Sequence, residues 1–249
     1  MNAPVAGATD RAPEVQAMFD KLAPKYDLAN RVLSLGLDQR WRRIALDALG
    51  DSAKGEVIDL CAGTMDLTVS LLERGPRKVY AMDFAPKMLE AGKPKLPPGA
   101  PVEVIVADAR ELPLPDASVD GIICGFGLRN VPELPRAIAE CARVLRPGGR
   151  LVVLEFFQPH WWLPSLLQGT YNRAIVPVVG GMLTGFGDAY RYLFESIDAF
   201  QTREEFEALL NAHGLVAGGR EMIPPVAGLV TGTKAVTAGH APQSDGGAS

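Results

Sequence analysis

The chain has little cysteine, few aromatics, no excess of basic residues and no long apolar run. Its three cysteines, Cys61, Cys124 and Cys141, show no C-x-x-C spacing. That argues against a disulfide framework and against a zinc site, and it suits a reducing compartment. Lys and Arg number 25 against 29 Asp and Glu, for a net charge of −4, so no overall positive field points to a nucleic-acid partner. No stretch approaches the ~18 apolar residues of a membrane span. The longest candidate, around Ile175 to Leu183, is broken by Gly and Pro and flanked by Arg173 and Asp188. The first thirteen residues are small and polar, without the apolar core of a signal peptide. The expectation is a soluble, cytoplasmic protein, with peripheral contact at the inner face of a membrane left open.

At 249 residues and 47% hydrophobic, the chain can bury one full α/β core. Residues 1–13 and 238–249 read as disordered tails and 14–237 as a single domain. From Glu14 to Leu49 apolar residues recur at helical spacing, with Pro24 and Gly36 as punctuation. An alternation of strand and helix follows. Strands are expected at 57–60, 78–83, 102–107, 121–124 and 150–155, and helices at 66–73, 86–95 and 133–145, the last ending at Arg146-Pro147-Gly148-Gly149. This is the pattern of a doubly wound, Rossmann-like parallel sheet. Between His160 and Phe200 the alternation stops and the residues turn apolar, as in a cap over a cavity or an extra helical layer. Thr202 with Glu205 forms a capping box for a helix to His213, and 216–235 can supply two closing strands.

The chemistry gathers at the ends of these strands. The first strand runs into a small-residue turn, Cys61-Ala-Gly-Thr-Met-Asp66, and a helix follows. Ligands of α/β sheets collect at such a turn. Asp83 lies about 20 residues beyond Gly63, where a carboxylate grips a ribose diol. A dinucleotide fingerprint needs three glycines to admit a pyrophosphate; here there is one, and Asp66 opens the helix as an acid that repels phosphate. A ribose without phosphate fits better, and S-adenosylmethionine is such a ligand. Asp59 either receives its amino group or only orients the turn. Asp108, followed by Ala109, is placed to accept from the amine of an adenine, or else caps its own turn. After the fourth strand, Gly125-Phe-Gly-Leu-Arg129-Asn130-Val131-Pro132 brings a cation and an amide to the same edge. Tyr26, Asp27 and Asn30 are polar groups set among helix breakers. Two readings from other classes compete: an NAD-dependent oxidoreductase, and a non-catalytic module that only binds S-adenosylmethionine.

Five motifs carry a resemblance. They are Phe19-Asp-Lys-Leu-Ala-Pro-Lys-Tyr-Asp-Leu-Ala-Asn30, Ala62-Gly-Thr-Met-Asp-Leu67, Phe126-Gly-Leu-Arg-Asn-Val131, Val144-Leu-Arg-Pro-Gly-Gly-Arg-Leu-Val-Val-Leu-Glu155 and Tyr190-Arg-Tyr-Leu-Phe-Glu-Ser196. Over roughly residues 14 to 234 the chain resembles the ubiquinone/menaquinone biosynthesis C-methyltransferases. The resemblance implies a class I S-adenosylmethionine-dependent methyltransferase fold with N-terminal helices and an apolar cap insertion. It implies cofactor contacts at Thr64, Asp83, Asp108 and Ala109, with no metal. It also implies a lipophilic, prenylated quinol as substrate: demethylmenaquinol, or alternatively the benzoquinol of the ubiquinone pathway; a small-molecule methyltransferase of other specificity is the remaining alternative. A homodimer stays open.

The chain departs from the family's pattern at Gly125, where the family has a cofactor-contacting serine. It departs again at Met65, where the family has glycine and a positive φ would strain a side chain, and at Ala227-Gly-Leu-Val-Thr-Gly232. The expected chemistry is attack of an ionised quinol ring on a sulfonium methyl. Arg129 stabilises the phenolate, because a guanidinium does not accept a proton. Asn130, Tyr26, or a water held by Asp27 or Asn30 gives the second contact, and the apolar 160–194 region houses the prenyl chain.

Overall fold

The computed structural model of the chain describes residues 16–17, 36–158, 192, 195–223 and 227–236. The two expected tails, the motif with Tyr26, Asp27 and Asn30, and nearly all of the apolar 160–194 region lie outside the described residues. The described elements run α1 (Leu37–Ala48), β1 (Glu56–Leu60), α2 (Asp66–Leu72), β2 (Lys78–Asp83), α3 (Pro86–Gly92), β3 (Val102–Val106), β4 (Val119–Gly125), α4 (Leu134–Val144), β5 (Leu145–Glu155), α5 (Arg203–Ala212), β6 (Leu215–Glu221) and β7 (Gly228–Lys234).

The strands form one sheet in the order β3-β2-β1-β4-β5-β7-β6. β1 to β5 are parallel, while β7 runs antiparallel to both β5 and β6. Successive side chains on a strand face opposite sides, and the core divides accordingly. Ile58, Leu60, Ile122, Cys124, Leu151 and Val153 pack on one face with Ile138 and Cys141 of α4 and Phe206 of α5. Val57, Ile123, Val152 and Leu154 pack on the other with Trp41 and Leu46 of α1 and Leu71 of α2. Covered on both faces, the central strands read as continuous apolar runs, as buried parallel strands do. Strand order reverses between β1 and β4, so the carboxyl ends of those two strands border the crevice in which such sheets bind ligands.

The expected alternation is the one found, with one shift at the end of α4. That helix stops at Val144, and Leu145 is already extended, at φ −66° and ψ 136°. Arg146-Pro147-Gly148-Gly149 does not close the helix but forms an irregularity in β5. There the pairing with β4 jumps from Val119↔Leu145 to Gly121↔Arg150. The residue before a proline is pushed out of the helical region, which moves the break forward. The capping box of α5 forms as expected: Glu205 N–H donates to Thr202 Oγ1, and Thr202 N–H donates to Glu205 Oε2.

Candidate active site

The turn after β1 doubles back through three left-handed residues, Cys61, Gly63 and Met65, at φ 56°, 54° and 63°. Only the middle one is a glycine, and a side chain in this region costs ~1–2 kcal/mol. Met65 is fully buried against Ala62, Ala81 and Leu89, and burial of such a side chain is worth ~1.5–3 kcal/mol. The strain anticipated at Met65 is therefore present and offset by packing. Gly127, beyond β4, is needed for a different reason. A Cβ there would stand 2.3 Å from the Cβ of Cys61, so glycine lets the β4 loop close on the β1 turn.

Asp83 ends β2 with both oxygens on backbone donors. Gly63 N–H reaches Oδ2 and Ala85 N–H reaches Oδ1, each at 2.8 Å. A carboxylate oxygen has two acceptor directions, so Asp83 can brace the turn and still take ribose hydroxyls. Asp108, past β3, is gripped by Arg110: Nε lies 3.0 Å from both carboxylate oxygens and Nη2 lies 2.6 Å from Oδ2. This bonding holds the Asp108 carboxyl below its ordinary pKa. Arg110 also reaches Glu133 at the start of α4, at 2.9 Å. Sequence reading missed Arg110, although an arginine two residues beyond a strand-end acid is the signal that could have found it.

Gly63, Asp83, Asp108, Ala109 and Asn130 come together on the wall of one cavity, whose apolar side is Leu60, Met82, Phe84 and Met88. Asp59, Thr64, Gly125 and Arg129 lie outside that lining, while Tyr26, Asp27 and Asn30 lie outside the described residues. The side-chain oxygen of Asn130 is buried without a partner. At Gly125, an added Cβ would meet Leu67 Cδ1 at 2.6 Å, so the leucine occupies the space a serine side chain needs. Arg129 is buried under the loop. Its Nη1 bonds Glu155 Oε1 at 2.6 Å and Phe126 O at 2.7 Å, its Nε bonds Ser196 Oγ at 3.3 Å, and its guanidinium lies 5.7 Å from the centre of the Phe156 ring. Glu155, fully buried at the tip of β5, is the second missed residue; an acid ending the apolar run Leu151-Val-Val-Leu was its signal.

Two further groups bear on the chemistry. Burial pushes the Asp59 carboxyl up to about 7, against the opposing effects of the Thr68 hydroxyl and the Arg42 charge. Cys61 is raised well above its usual value by a hydrogen bond to Cys124 and by burial. It therefore stays a thiol at neutral pH, and thiols are poor nucleophiles. What the cavity offers is binding and alignment. Asp83 at its ribose end suits a ligand with a positive sulfonium and disfavours a pyrophosphate.

A sequence model of the ubiE/COQ5 methyltransferase family matches residues 7–233. The chain belongs to that family. It is an S-adenosylmethionine-dependent methyltransferase, and the oxidoreductase reading falls. A demethylmenaquinone methyltransferase of Thermus thermophilus is 44% identical, over 79% of this chain and 90% of its own. One of Deinococcus radiodurans is 40% identical, over 93% and 97%. A ubiquinone/menaquinone biosynthesis C-methyltransferase of Syntrophotalea carbinolica is also 40% identical, over 81% and 85%. Among solved structures, a methyltransferase of Thermotoga maritima superposes with a TM-score of 0.62 at 17% identity, covering 88% of this chain and 99% of its own. The [4+2]-cyclase SpnF superposes with 0.67 at 15%, covering 94% and 98%. That a cyclase shares the architecture shows that fold alone does not choose the reaction.

Proposed function

We propose that the protein methylates a ring carbon of demethylmenaquinol to give menaquinol. The single observation that carries the reading is the 44% identity to the Thermus thermophilus demethylmenaquinone methyltransferase across nine-tenths of that enzyme. When bound, S-adenosylmethionine supplies an electrophilic methyl group on sulfur. The protein's part is to hold the ribose at Asp83, the adenine edge at Asp108 and Ala109, and the quinol ring beside Asn130.

Ionising the quinol makes its ring carbon nucleophilic. Bringing a phenol from a pKa of ~10 to near 7 requires ~4 kcal/mol. One charge-assisted hydrogen bond contributes ~1.5–3 kcal/mol, so two groups are needed. We assign them to Asn130, whose amide can donate inside the cavity, and to Arg129, whose charge Glu155 holds just beneath the same loop. Tyr26, or a water held by Asp27 or Asn30, gives a further contact, and that water takes the proton. Peripheral membrane contact goes with this reading, because a polyprenylated substrate resides in the bilayer. Among the described residues no helix is long and apolar enough to cross one.

The test is turnover of chemically reduced demethylmenaquinol against the reduced methoxy-polyprenyl-benzoquinol of the ubiquinone pathway, at matched tail length. A higher kcat/KM for the naphthoquinol supports the reading, and a clear preference for the benzoquinol overturns it.

A further inference from the structure

Asp108 has no acceptor left over for a ligand. Its two carboxylate oxygens offer roughly four acceptor directions, and Arg110 alone fills them. The Arg110 backbone N–H donates to Oδ1 at 2.8 Å, Nε lies 3.0 Å from both oxygens, and Nη2 donates to Oδ2 at 2.6 Å. Arg110 lines the same cavity as Asp108 and Ala109. Its side chain is 19% exposed, against 44% for that of Asp108.

An adenine amine needs one of those oxygens. A carboxylate filled by a cation gives up an acceptor only if the cation moves, and there is a place for it to go. The remaining guanidinium nitrogen, Nη1, already donates to Glu133 Oε1 at 2.9 Å. Glu133 directly follows Val131 and Pro132, which line the cavity as well. Its side chain is 45% exposed. Its Oε2 has only Arg136 Nη1 near it among the described residues, at 4.0 Å, so it can take a second N–H from Arg110.

We propose that Arg110 is an internal competitor for the adenine amine: it closes on Asp108 in the absence of a purine and turns onto Glu133 when the amine takes its place. This rests on the reading above, in which the purine edge lies at Asp108 and Ala109. Arg110 then weakens the methyl donor and the demethylated product alike, because both carry the same nucleoside. Glu133 works against it, as the charged seat that receives the displaced guanidinium. Two neighbouring charges thus have opposite effects on one Kd. An arginine that only held the purine, or only held its own turn, would not produce that pattern.

The experiment is calorimetric binding to the full chain of two ligands, methylthioadenosine and its analogue with hydrogen in place of the purine amine. Arg110→Ala should tighten methylthioadenosine about 5- to 50-fold and leave the analogue within about twofold, the span of one charge-assisted contact released. Arg110→Gln, with a neutral donor in place of the cation, should tighten it less. Glu133→Gln should weaken methylthioadenosine in the wild-type chain and have no effect on it in Arg110→Ala. Binding of the analogue by every variant shows that each is folded. The proposal is overturned if Arg110→Ala weakens methylthioadenosine, or if it leaves the preference for methylthioadenosine over the analogue unchanged. If wild type binds neither ligand, the nucleoside reading itself has failed and the proposal falls with it.

Discussion

Burial raises the Asp59 carboxyl from 3.8 to about 7, with Arg42 from α1, Thr68 from α2 and Asp83 from β2 as its neighbours. An unfolded Asp ionises near ~3.9, so between that pH and 7 the unfolded chain has lost a proton that the folded chain keeps. Stability from this group is present below pH ~4 and is lost as the pH rises to 7. Asp59→Asn is therefore expected to stabilise the fold at pH 8, by up to ~4 kcal/mol for a shift of about three units, with the difference shrinking towards pH 4. Thermal melts at the two pH values check this; an equal gain at both would contradict it. The buried pair of Arg129 and Glu155 behaves otherwise. Removing one partner leaves a charge in the core and is expected to cost ~3–5 kcal/mol, whereas the apolar double replacement Arg129→Met with Glu155→Leu should recover most of that. Urea titration reads the stability and single-turnover kinetics reads the chemistry. If Arg129 stabilises the phenolate, the double variant refolds well and turns over poorly, and wild-type turnover in it would remove Arg129 from the mechanism.

The turn after β1 and the loop after β4 act together as one element, because Gly127 allows them to touch. Gly127→Ala places a methyl 2.3 Å from the Cys61 Cβ, so the β4 loop or the β1 turn that carries Gly63 must shift. Overpacking of this kind costs ~1–3 kcal/mol. The cofactor Kd is expected to rise about 5- to 100-fold, while Gly75→Ala, far from the site, leaves it alone. Titration with S-adenosylmethionine measures both; an unchanged Kd in Gly127→Ala would show that the contact does not shape the site. Strands and helices were readable in advance at this scale because their signals are local: two-sided burial makes β1 and β4 continuous apolar runs, and Pro86 opens α3. Asp83 and Asp108 were readable because they end strands. What was hidden depends on contacts distant in sequence. Arg110 links Asp108 to the distant Glu133, Arg129 is paired with Glu155 beyond the next helix, and Arg42 meets Asp66 only when α1 packs beside α2. The irregularity at Arg146–Gly149 was hidden because Pro and Gly signal a helix end and a strand break equally well.

At the scale of the molecule, the carboxyl ends of the parallel strands carry both the polar cavity and an apolar cluster. Phe126 stacks on Phe156 at 4.6 Å between centroids, and Trp41 lies 6.4 and 6.5 Å from the two. The same end carries the β6–β7 turn, where Ile223 is 78% exposed and its carbonyl accepts from the Trp41 indole. Trp41 and Phe126 are buried in the core, so of these groups Ile223 is the one that offers open apolar surface; the proposed substrate carries a polar ring and a long hydrocarbon tail. The tail is then expected to supply binding and the ring to supply reactivity. Each methylene buried is worth ~0.8 kcal/mol, a contribution equal in the ground state and the transition state. Interactions of that kind change KM and leave kcat nearly untouched. A series of reduced substrates differing only in prenyl length, assayed in one detergent at fixed concentration, should show KM climbing steeply as the tail shortens while kcat stays within about threefold. If kcat falls in step with the rise in KM, the tail is helping to place the ring for methyl transfer, and the division between a binding tail and a reacting ring does not hold.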